Sequence, residues 1–288
     1  MSSIQMHVLA GFLKLTRKRR TAPDPAAATA KPPRPPAKLV DRHAVSTRTV
    51  GGFECHTVAP RDREAERAVV YLHGGAYISH LSPQHWQLIS HLADAGLRVE
   101  VAHYGLAPRH TYRDAYPFVT TVYDELLGQV DRGHVTIMGD SAGAGLALGV
   151  AQSLSDAGLP QPGRLVLIAP WLDLTLSNPA IPEAEARDPW LTSSSLLEAG
   201  RGWAGGDDPG QPRLSPINGA LTALPPVDVY IGTRDLFYPD VRRLQELAKE
   251  EKAEVNVTVC QGAVHVYPLV PAPEGRAAAR AIVRSLVS

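Results

Sequence analysis

Cysteine is nearly absent: Cys55 and Cys260 are the only two in 288 residues. That excludes a disulfide-stapled scaffold, which needs several bridges. Metal-ligand spacing is missing as well, with no His-Glu-x-x-His and no Cys-x-x-Cys. His80, His85 and His91 are scattered over one helical region and its lead-in. Net charge is zero, 29 Lys and Arg against 29 Asp and Glu, so there is no global basic bias toward nucleic acid. No apolar run is long enough to span a bilayer. A dinucleotide fingerprint is only approached, at Gly143, Gly145 and Gly149, where the last spacing is one residue too long; no cofactor or metal is expected. The most useful absence concerns histidine. Ten of the eleven lie between His7 and His134, and beyond them only His265 remains.

What is present is a serine set for chemistry. Gly139-Asp140-Ser141-Ala142-Gly143 follows the apolar run Val135-Thr136-Ile137-Met138 and precedes the helix-like Leu146 to Ala151. A Gly-x-Ser-x-Gly between strand and helix is a nucleophile elbow, a turn sharp enough to present the serine Oγ above a sheet. A serine hydroxyl needs a base to take its proton. In elbow folds the order is Ser, then Asp or Glu, then His, which leaves His265 as the base. The acid is assigned to Asp235, in a loop after the strand Val227 to Ile231, at the sheet edge where α/β sites assemble. Asp240 is the alternative, although its place after Pro239 suits the first turn of a helix. His73-Gly74-Gly75-Ala76 ends the strand Ala68 to Leu72 and offers backbone donors for an oxyanion hole. Gly74, Gly75 and the N–H of Ala142 are the expected donors, with His73 positioning the loop. Alanine at 76 implies an ordinary backbone there, since a positive φ would cost it about 1–2 kcal/mol.

These motifs together resemble the hormone-sensitive-lipase-like group (family IV) of α/β-hydrolase esterases, close in pattern to its monoterpene ε-lactone hydrolase-like members. Tyr104-Gly105-Leu106-Ala107-Pro108 is similar to that family's Tyr-Arg-Leu-Ala-Pro-Glu loop, Ala169-Pro170-Trp171-Leu172-Asp173-Leu174 to its Ser-Pro-Trp-x-Asp-Leu, and Leu214-Ser215-Pro216 and Leu224-Pro225-Pro226 to its approach to the acid strand. The resemblance runs from about residue 65 to the C-terminus. It implies an α/β-hydrolase fold with a mostly parallel eight-stranded sheet, helices on both faces and an N-terminal helical cap. It implies a serine carboxylesterase acting on short-chain acyl esters, with Ser141, Asp235 and His265 catalytic and no cofactor. A lactone hydrolase with the same machinery is the alternative within the enzyme class; a non-catalytic ligand-binding relative is the alternative outside it, and would be expected to lack His265. In the usual strand order for this fold Cys55 and Cys260 lie toward opposite edges, so both should be free thiols of a reducing compartment. Ala76 and Ala144 replace family glycines, and Gly105 and Arg109 replace the arginine and glutamate of the loop, which suggests a lost ion pair and a weakened loop.

The head of the chain differs from its body. Residues 1–48 carry ten Lys and Arg and two acids, and the remainder is acidic by the same margin. Ile4, Val8, Phe12 and Leu15, widened by Leu9 and Leu13, predict an amphipathic helix over residues 3–18 that ends in positive charge. Pro23, Pro25, Pro32, Pro33, Pro35 and Pro36 then make an extended connector. A signal peptide would carry its charge before the apolar stretch, so cytoplasmic residence is expected. The division is residues 1–45 as cap helix and connector and 46–288 as catalytic domain, with 170–210, rich in tryptophan, contributing to the cap and acyl pocket. A cap is favoured over a membrane-surface anchor, and stable membrane insertion is not expected. The expected partner is a small ester or lactone, no nucleic acid is expected, and homodimerisation is left open.

Overall fold

The computed structural model describes residues 2–16, 31–156 and 158–288. Arg17 to Arg20, and Pro23 and Pro25 of the connector, lie outside them. Eight strands form one sheet: β1 (Ala44–Val50), β2 (Phe53–Ala59), β3 (Ala68–Leu72), β4 (Arg98–Ala102), β5 (Val135–Asp140), β6 (Arg164–Ile168), β7 (Val227–Gly232) and β8 (Val255–Cys260). Their spatial order is β1-β2-β4-β3-β5-β6-β7-β8. β1 and β2 form an antiparallel hairpin, and β2 pairs antiparallel with β4. Its two-residue turn is Gly51-Gly52, both at positive φ, as such a turn requires. From β4 to β8 every pairing is parallel.

A parallel sheet covered on both faces needs strands that are apolar on both sides. β3 (AVVYL) is buried at every position, and so is β5. The covering helices are α1 (Ile4–Thr16), α2 (Ala37–Arg42), α3 (Pro83–Asp94), α4 (Tyr112–Leu127), α5 (Ala142–Asp156), α6 (Ile181–Arg187), α7 (Ser193–Ala204), α8 (Tyr238–Glu251) and α9 (Pro273–Val287). α3 and α4 open with capping boxes, Ser82 with His85 and Thr111 with Asp114, so side chains take backbone donors that the first turn leaves unpaired. α4 packs on α5, while α3 and α1 pack on α9. No helix among the described residues is long and apolar enough to cross a membrane.

Two expectations meet a different outcome. Of the α1 stripe, Ile4, Val8, Phe12 and Leu15 are exposed while Leu13 is buried and Leu9 partly buried, and the helix also buries Met6 and Ala10. At the Tyr104 loop the missing ion pair has a replacement. A Cβ at Gly105 would sit 2.3 Å from the His110 ring, so that ring fills the space above the glycine, and it packs edge-on to Phe53 at 5.0 Å. Backbone bonds from Ala107 N–H to Tyr77 O and from His110 N–H to Leu106 O hold the loop. Cys55 on β2 and Cys260 on β8 are both free, near opposite edges of the sheet.

Candidate active site

The parallel strands deliver their carboxyl ends to one edge. His73 follows β3, Ser141 follows β5, Asp235 follows β7 and His265 follows β8. The chain direction across the sheet reverses between β3 and β5, so the crevice lies between the residues that follow these two strands.

Ser141 is held at φ 53, an uncommon conformation for a serine. Its N–H donates to Ile168 O at 2.8 Å and its carbonyl accepts from Trp171 N–H at 3.0 Å, so both sides of the turn are pinned to β6 and the loop beyond it. The flanking glycines are there for space. A Cβ on Gly139 would meet Gly143 O at 2.4 Å, and one on Gly143 would meet Leu72 O at 2.1 Å. Ser141 Oγ lies 2.9 Å from His265 Nε2, and His265 Nδ1 lies 2.8 Å from Asp235 Oδ2. The other oxygen of Asp235 accepts from Phe237 N–H at 2.9 Å, which fixes the carboxylate's orientation. Asp240 is instead in the first turn of α8, where its Oδ1 accepts from Asn178 Nδ2 at 2.9 Å; burial raises its pKa to about 6.

Burial by itself lowers the pKa of His265, but the carboxylates of Asp235 and, farther off, Asp188 outweigh it, and the net direction is upward. The rings of Trp190 and Phe237 stand edge-on to the imidazole at 5.7 and 5.4 Å. Trp171 and Trp203 of the 170–210 segment are core residues, buried and stacked on Tyr77. Only Trp190 of the three remains partly exposed.

The oxyanion strip differs from the expectation in two places. Gly74 is not an available donor, because its N–H is already taken by Asp140 Oδ1 at 3.0 Å. Ala76 does not have an ordinary backbone: Gly75, Ala76 and Tyr77 lie successively at φ 121, 52 and 62. Such strain persists only where the surroundings impose it, and it concentrates at functional sites. Among the described residues no acceptor is bonded to the N–H of Gly75, Ala76 or Ala142. His73 positions the strip by stacking on Tyr104 at 4.5 Å, with its Nδ1 2.7 Å from Gly74 O.

Two buried acids escaped the sequence reading. Asp140 accepts from Tyr71 OH at 2.7 Å and from Gly74 N–H on one oxygen, and faces His85 Nε2 at 3.1 Å on the other. Burial raises its pKa, but these partners more than offset that, and it stays ionised. It therefore ties the strip to the elbow, and its only sequence signal was its place beside Ser141. Asp188 accepts the N–H groups of Trp190, Leu191 and Leu236, joining the 170–210 segment to the loop of Asp235. Burial and then the nearby Asp235 raise it to about 6. No local motif announces it.

Comparison with known proteins follows the same lines. A family model described as alpha/beta hydrolase fold matches residues 69–269. The acetyl-hydrolase of Streptomyces hygroscopicus is 36% identical over 236 residues, 80% of this chain and 78% of that protein. The structure of EstE5 soaked with p-nitrophenyl butyrate superposes with a TM-score of 0.84 at 25% identity, over 99% of this chain and 98% of that one. An esterase from the bacterial hormone-sensitive lipase family shares the fold, with a TM-score of 0.84 at 24% identity over 100% and 98% of the two chains. This chain belongs to the α/β-hydrolase-fold family and is a carboxylic ester hydrolase.

Proposed function

We propose that the chain hydrolyses short-chain acyl esters through an acyl-enzyme on Ser141. The observation that carries this is the unbroken relay from Ser141 Oγ to His265 Nε2 at 2.9 Å and from His265 Nδ1 to Asp235 Oδ2 at 2.8 Å. Ser141 Oγ attacks the ester carbonyl carbon as its proton passes to His265 Nε2. Asp235 holds the Nδ1–H and stabilises the imidazolium that forms. The carbonyl oxygen becomes an oxyanion, stabilised by the N–H groups of Gly75, Ala76 and Ala142. His265 then protonates the departing alkoxide. A water enters, gives its proton to His265, and attacks the acyl carbon to release the acid and Ser141. No step requires a cofactor.

Tight quarters around the nucleophile support a small acyl group: Ser141 is 6% exposed and His265 3%, beneath Trp190 and Phe237. The names of the relatives, an acetyl-hydrolase and an esterase fold soaked with a butyrate ester, agree with that size. The head of the chain, residues 1–45, belongs to the same reading as a cap. α1 is anchored to α9 by Ser3 Oγ donating to Glu274 Oε2 at 2.8 Å. Its outer side chains Ile4, Val8 and Phe12 border a groove of about 560 Å³ that is also lined by Pro271 and Ala272, six and seven residues beyond His265.

The test is a series of p-nitrophenyl esters from acetate to dodecanoate, with ε-caprolactone alongside. Acetate to hexanoate should dominate kcat/KM, and deleting residues 1–36 should lower it. Equal turnover of dodecanoate would overturn the chain-length assignment, and a preference for the lactone would move the substrate class.

A further inference from the structure

Three histidines that the esterase chemistry does not use converge behind the oxyanion strip. His73 follows β3, His80 lies in the turn between β3 and α3, and His103 follows β4. One ring nitrogen of each lies within 4.8 Å of the corresponding atom of the other two. They are 30 residues apart at the extremes and meet only because β3 and β4 are neighbours in the sheet.

The chemical state of the rings is that of metal ligands. His73 is fully buried, and its Nδ1–H donates to Gly74 O at 2.7 Å, which leaves the lone pair on Nε2. Among the described residues Nε2 has no hydrogen-bond partner. A carbonyl fixing one imidazole nitrogen so that the other is free to ligate is the usual outer support of a metal-bound histidine. His103 is 2% exposed, and neither of its ring nitrogens has a hydrogen-bond partner among the described residues. Buried imidazole nitrogens without hydrogen bonds are costly, and each needs an explanation. His80 is half-buried, with its Nδ1 atom itself buried.

We propose that His73, His80 and His103 form a binding site for one divalent transition-metal ion of the zinc, cobalt, nickel or copper kind, with water completing the coordination. Three neutral imidazoles favour these ions over calcium or magnesium, which take oxygen ligands. Bonds of about 2.0–2.1 Å in tetrahedral geometry require the nitrogens to stand roughly 3.3 Å apart, so the rings must draw together from their present spacing. The ion would link the start of the oxyanion strip, the turn after it and the end of β4. It would act as a clamp, since it has no part in acyl transfer, and the inference stands independently of the roles assigned to Ser141, Asp235 and His265.

The experiment uses the full, untagged chain, stripped with chelator, desalted and loaded with Zn²⁺ or Co²⁺ alone. Elemental analysis should find one equivalent retained per chain, Co²⁺ should give a ligand-field absorption band, and the thermal midpoint should rise on loading. His80→Gln, at a position that need not pack, should weaken binding at least about 100-fold, as expected when a ligand itself is lost. His103→Gln should do the same, with circular dichroism reporting whether it folds. Substoichiometric metal, or retention of a full equivalent in a folded His80→Gln chain, would overturn the site.

Discussion

Buried histidines at two places along one edge of the sheet end in opposite chemical states. At the ends of β7 and β8, His265 is 3% exposed, but it faces Asp235 and, behind it, Asp188, and its pKa is raised. At the ends of β3 and β4, His73 and His103 are equally buried, no carboxylate among the described residues bonds to either ring, and their pKa values fall to about 3 and about 2. Burial acts in the same direction on all three; what differs is the charge supplied by neighbouring strands. A buried histidine is thus read as a proton acceptor for catalysis or as a neutral donor only after its partners are known.

The largest test of that contrast removes the relay. Ser141→Ala should abolish labelling by an organophosphonate and lower kcat by about 10⁴-fold or more, and His265→Ala should cost a similar factor, because members of such a unit fail together. Residual labelling of the Ser141→Ala chain would mean another nucleophile. If one of the other ten histidines could replace His265, activity in His265→Ala would survive and the contrast would break.

The next effect separates the two acids of the α8 region. Asp235→Asn should lower kcat by about 10⁴-fold, the size associated with an amide holding the wrong imidazole tautomer. Asp240→Asn, which alters a contact with Asn178, should cost less than about tenfold. Steady-state kinetics on p-nitrophenyl acetate would show it, and the reverse ranking would reassign the acid.

A smaller effect probes the strip. Gly74→Ala places a Cβ 2.3 Å from Asp140 Oδ2, 2.9 Å from its carbonyl oxygen and 3.0 Å from Ser141 Cβ. Overpacking of this kind should lower stability by roughly 1–3 kcal/mol and depress kcat by moving the strip. A denaturation curve unchanged from that of the parent would show that the strip yields without resistance.

The smallest effect is in the pH profile. His265 must be neutral to accept the serine proton, so kcat/KM falls as pH drops through its pKa. With that pKa raised, the midpoint of the acid limb should lie above the ordinary histidine value of about 6.5. Asp188→Asn removes a charge that favours the imidazolium, so the limb should move to lower pH, by roughly a few tenths of a unit. A move to higher pH would mean that Asp188 acts on His265 in some way other than by its charge.

Much of the candidate site was legible in the chain because its constraints are local. Gly139 and Gly143 are small because backbone passes within 2.5 Å of where their Cβ atoms would be, and such a demand is written directly into the sequence as Gly-x-Ser-x-Gly. Chain order then left one histidine, and a strand end offered Asp235. The strip was legible only as a motif. Which of its N–H groups is free depends on the Asp140 carboxylate, 66 residues away, which takes the donor of Gly74. Ala76 at φ 52 reads as an error from local preference alone, and it is held there by surroundings that the sequence does not display.

The sequence by itself determined the strands that lead to His73, Ser141 and Asp235, the elbow, and the presence of a helix at the head of the chain, because backbone propensity, apolar periodicity and glycine placement act over a few residues. Only the tertiary structure decided which face of α1 is buried, where Met6, Ala10 and Leu13 pack and Ile4, Val8, Phe12 and Leu15 do not. It alone decided that His73, His80 and His103, scattered along the chain, would share one space, and that Asp188 would stand beside Asp235 and His265. The reason is physical. Electrostatics and ligand geometry depend on distances through space, and those are set by the order in which strands lie side by side in the sheet, which no short window of residues contains.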